Sequence, residues 1–65
     1  MSEEEIFATV DKIYPEFIQL LRQKNPELET LYVMRYSYTD KKYPPTMRLH
    51  NAYEILRAYI ALKVS

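Results

Sequence analysis

Three groups of residues have types and spacings that bear on chemistry. His50 precedes Glu54 by four residues, so on a helix the imidazole and the carboxylate share a face, the pairing that acid–base catalysis uses. The same pair is also ordinary surface furniture on a solvated helix, where it contributes about 0.2–0.5 kcal/mol. The chain has no cysteine, and no serine or threonine in a nucleophile elbow accompanies the histidine. We therefore expect a non-enzymatic protein with no catalytic residues.

Glu3-Glu4-Glu5 is the second group. Successive helical residues point in different directions, so three adjacent carboxylates do not converge on one cation, and the run reads as helix-capping charge. A single histidine and no cysteine exclude the usual zinc arrangements. The absence of glycine excludes the phosphate-cradling Walker and dinucleotide loops. No metal and no cofactor are expected.

In the third group, Tyr32, Tyr36, Tyr38 and Tyr43 are interleaved with Arg35, Lys41, Lys42 and Arg48. Tyrosine and arginine carry large contact area at low entropic cost and are favoured at protein interfaces. Rings that stack on bases beside cations that follow phosphates also suit single-stranded nucleic acid. Two of the rings completing the core, with hydroxyls reaching water, is the plain alternative. Nine acids balance nine bases, whereas a small nucleic-acid-binding domain ordinarily carries net positive charge. These eight residues are therefore read first as a protein-partner surface and second as the site of a small nucleic-acid-binding regulator.

Charge is unevenly distributed along the chain. Residues 1–30 hold seven acids against three bases, a net −4, and residues 31–65 hold six bases against two acids, a net +4. Complementary halves can pair within one chain or between two. A 65-residue chain is one domain at most, and a domain near this size buries only about 60% of the surface its unfolded chain exposes. With disulfides and zinc closed off, self-association or docking on a larger partner remains as the route to added stability. A homo-oligomer is expected, acting as an adaptor, inhibitor or regulatory subunit. The apolar runs are far short of the ~20 residues a membrane span needs, and the N-terminus is acidic where a signal peptide is basic, so no membrane role and a cytoplasmic location are expected.

The elements that must position these residues are helices. Ser2 with Glu5 forms a capping box, and Ile6, Val10, Ile13, Phe17 and Leu21 recur at helical spacing to about Lys24, with Pro15 kinking or breaking the run. Asn25-Pro26-Glu27 is a second start, with Asn25 as cap. Residues 30–39 are rich in Tyr, Val and Thr, and helical and strand signals compete there. Leu49, Tyr53, Leu56 and Ile60, with Ala52 and Tyr59 beside them, mark a last helix from about Met47 to Lys63, capped by Thr46. The expected fold is all-α, a small three- or four-helix bundle. The alternative is α+β, with a β-hairpin at about 31–50 between helices.

Overall fold

The computed structural model describes residues 2–65. The Glu5 amide donates to Ser2 Oγ and the Ser2 amide donates to Glu5 Oε1, each at 3.2 Å, so the capping box forms. Helix α1 spans Glu3–Lys24, with acids in its first turn and Arg22 and Lys24 in its last, the arrangement its dipole favours. Pro15 lies inside this helix rather than between two, on its exposed side. The carbonyl that loses its helical donor there can turn to water. The buried face comprises Ile6, Val10, Phe17, Ile18 and Leu21.

A 3₁₀ turn at Pro26–Leu28 leads into α2, Glu29–Arg35, which continues as a second 3₁₀ turn over Tyr36–Thr39. Asn25 does not cap this start with its side chain. Its amide donates to Glu27 Oε1 at 3.2 Å, and Arg22 instead clamps the reversal through Glu29 Oε2 at 2.8 Å. Helix α3 spans Pro45–Val64, two residues earlier than expected and without a cap from Thr46. Pro44 is held extended (φ −60°, ψ 147°) because a proline follows it, and Pro45 has the fixed φ that suits a first helical position.

The described residues are 88% helical, with no strand among them, so the hairpin alternative does not form. Two strands alone are marginal, and without glycine the tight turns that twist correctly are unfavourable. The last residues of that alternative hairpin, from Pro45 onward, belong to the opening turns of α3.

Helices α1 and α3 run in the same direction. Arg48 lies over Phe7 at one end, Tyr59 and Lys63 reach Glu16 midway, and Lys24 Nζ donates to the Leu62 carbonyl at the other. Helix α2 runs back against both. Packed against both α1 and the α2 segment, α3 buries Ala52, Ile55 and Leu62 and half-buries Tyr59. The face expected from the sequence packs in part: Ala52, Leu49, Leu56 and Tyr59 join the core, while Tyr53 is 44% exposed and Ile60 54%. Ala52 is fully buried and Ala58 packs against the core cluster.

Lys63 and the Tyr59 hydroxyl bond Glu16 at 2.8 and 2.9 Å and hold its carboxyl below the ordinary carboxylate range, and Arg22 does the same to Glu29. A carboxyl depressed in the folded state contributes stability above its unfolded pKa, and that contribution is lost as pH falls through the folded value. Thermal midpoints are expected to drop below about pH 4. The drop should be shallower in Glu16→Gln and in high salt, because both pairs are solvent-exposed.

Candidate functional site

The tyrosine-basic segment divides into an inward and an outward part. Its first three tyrosines continue a run of rings from α1. Phe7 stacks on Tyr38 at 5.5 Å, Tyr38 meets Tyr36 edge-on at 5.5 Å, and Tyr36 stacks on Tyr14 at 4.2 Å. Tyr14 lies 6.3 Å from Phe17, which takes the edge of Tyr32 at 5.3 Å. Tyr38 is 2% exposed and donates its hydroxyl to Asp11. Burial, then that bond, pushes its phenol far above the ordinary tyrosine range. Tyr14 is raised as well, by burial first and then by Tyr36. Arg48 is also an internal residue: its Nε donates to the Tyr38 carbonyl at 2.6 Å and its guanidinium lies 5.1 Å over the Phe7 ring.

The outward part is smaller. Lys41 and Lys42 are exposed on the turn before α3, with Lys42 Nζ 3.7 Å from Asp40 Oδ2 and 5.5 Å over the half-buried Tyr43 ring. Arg35 stands at the junction. Its guanidinium is 5.9 Å from the Tyr32 ring, and Nη1 donates to Asn51 Oδ1 at 3.2 Å. The eight residues therefore do not form one patch. Tyr43 and Arg35 come to one place, with Lys42 over the Tyr43 ring and Lys41 beside it in sequence, while Tyr32, Tyr36, Tyr38 and Arg48 pack inward.

That place is a groove between α2 and the opening turns of α3, with a cavity of about 420 Å³. Leu31, Met34 and Arg35 form one wall, Met47, His50 and Asn51 the other, and Ser37 and Tyr43 close one end. Met34 is 69% exposed and Met47 48%. Helix α2 buries none of its residues, because in seven residues it offers α1 only the Tyr32 ring and turns Leu31, Val33 and Met34 outward. These apolar groove residues lay outside the sequence-derived site. Their signal was an apolar excess on so short a helix, which becomes legible only once Tyr32 is known to occupy the inner face. His50 lines the groove, but its expected partner is engaged elsewhere: Glu54 Oε1 accepts from Arg57 at 3.4 Å.

A second hollow of about 320 Å³ lies where α2 begins, between Leu28, Tyr32, Ala58 and Ala61. A separate apolar strip, Tyr53, Ile60 and Val64, runs along the outer face of α3. Among the described residues, no group of three or more His, Asp or Glu side chains is placed to hold a metal ion, and no helix is long and apolar enough to cross a membrane. Compared with known proteins, the chain matches no family model, no curated protein and no solved structure.

Proposed function

We propose that this protein is a non-enzymatic protein-interaction module that self-associates. One observation carries the reading: among the described residues nine large hydrophobic side chains are exposed, as many as the buried core has residues. On a body this small, apolar surface gathered into a groove and a helix face favours contact with another protein. Less supports a nucleic-acid reading, since three of the four interleaved tyrosines pack against α1 and leave Tyr43 alone beside the lysines.

Self-association is assigned to the outer face of α3, where Tyr53, Ile60 and Val64, seven and four residues apart, come to one side of the helix. Equilibrium sedimentation at micromolar concentration tests it. The wild type is expected to run as a dimer, and Ile60→Asp as a monomer of about 7.9 kDa with an unchanged fold, because Ile60 is already exposed. A wild type that stays monomeric would remove self-association and leave only a different protein as partner.

A further inference from the structure

We propose that the groove between α2 and α3 takes an amphipathic helix from a different protein, one that carries acidic residues beside its apolar face. The proposal rests on the interaction-module reading and names the partner chemistry of one surface within it. The floor is apolar and adaptable: Leu31, Met34 and Met47 are exposed, and unbranched methionine side chains repack against varied apolar ridges. The walls select charge. Arg35 and His50 line the groove, no acidic residue does, and the exposed Lys41 and Lys42 precede Tyr43 at its end. Asp40, beside Lys41 in sequence, accepts from the Lys42 amide and lies 3.7 Å from its ammonium, and Glu54, four residues after His50, pairs with Arg57.

Arg35 supplies an independent observation. Its Nη1 is bonded to Asn51, yet its Nε is buried with no hydrogen-bond partner. Buried guanidinium donors are ordinarily satisfied, and a carboxylate is the acceptor whose geometry matches them. Arg35 itself lines the groove, so an acidic side chain entering there meets the guanidinium through its remaining Nη donors, while the buried Nε stays behind them. A second copy of this chain suits the groove less well, because Ile6, Phe7 and Val10, the apolar residues that follow its acidic run, are committed to its own core.

The test uses the full chain with carbon-13 labelled methionine methyls, since two of its three methionines line the groove. The probe is a synthetic peptide of about 18 residues with leucines on one helical face and glutamates flanking them, beside a twin with lysine at every glutamate. Saturable shifts of the Met34 and Met47 methyls by the acidic peptide are expected, with the lysine twin about tenfold weaker. Met34→Ala should weaken binding about tenfold at no cost to folding, and joint reversal of Lys41 and Lys42 to Glu should erase the preference for the acidic peptide.

Equal binding of both peptides would overturn the proposal, as would shifts on the Ile60 face alone or no binding at all. So would displacement of the acidic peptide by a short single-stranded oligonucleotide, or methyl shifts that follow protein concentration without peptide, which would put a second copy in the groove. Sedimentation of the α3 face is unaffected by these outcomes, so the groove can fail while the module reading stands.

Discussion

Phe17→Ala is expected to leave the chain unfolded. Phe17 is fully buried in the middle of α1, with Tyr14 on one side and the edge of Tyr32 on the other. Truncating a buried phenylalanine costs about 3–5 kcal/mol through lost transfer energy and the cavity left behind. The edge-on pair with Tyr32 adds about 0.5–1.5 kcal/mol to the loss. A single core of this size rarely supplies more than about 3–5 kcal/mol of net stability, so one such loss cancels it. Far-UV circular dichroism should show the helical signal gone in Phe17→Ala. Phe17→Leu keeps most of the volume and should melt cooperatively, with a midpoint lower by roughly 4–8 °C for each kcal/mol lost. A cooperative alanine variant melting within a few degrees of wild type would mean that α2 is held to α1 by something other than the ring cluster.

That cluster also explains which parts of the molecule were legible in the sequence. The start of α1 was, because Ser2 and Glu5 satisfy each other's backbone donors locally and no distant residue is involved. Its buried stripe was legible too, since one helix facing one core repeats its apolar positions simply. Residues 30–39 were ambiguous because strand propensity describes how a side chain fits a half-buried surface, and here that surface is α1. Tyr32 and Tyr36 lie four residues apart and so come to one helical face, where Phe17 and Tyr14 receive them. Helix α3 was legible in part, for a different reason. It carries apolar residues on two faces, and periodicity marked both without saying which one the neighbours would cover. The covered face is the one that carries Ala52 and Ile55, and Tyr53 and Ile60 lie outside it. The groove was least legible of all. Its walls come from residues up to twenty positions apart, and Met34 and Met47 become surface only after Tyr32 and Ile55 have taken the inner positions.

Tyr38 carries the second large effect, visible at alkaline rather than acid pH. Its phenol is raised because it is buried and donates to Asp11, so the folded protein keeps a proton that an unfolded tyrosine gives up near pH 10. A group raised in the folded state contributes stability that is fully present below its unfolded pKa and is lost as pH rises above it. Above about pH 10 the protein is therefore expected to weaken, with Tyr38 adding at most about 1.4 kcal/mol per pH unit. The slope should fall short of that limit to the extent that water reaches the hydroxyl beside the exposed Asp11. Tyr38→Phe separates this from packing. The phenyl ring keeps its place against Phe7 and Tyr36, Asp11 returns to water, and the cost near neutrality should be about 1–2 kcal/mol. Urea midpoints measured between about pH 8 and 11 should then fall less steeply in the variant than in wild type. Some slope remains, because Tyr14 is raised by burial and Tyr59 by its bond to Glu16. Parallel curves would mean that Tyr38 ionises in the folded protein as freely as in the unfolded chain, and the contact between α1 and the turn after α2 would then rest on ring stacking alone.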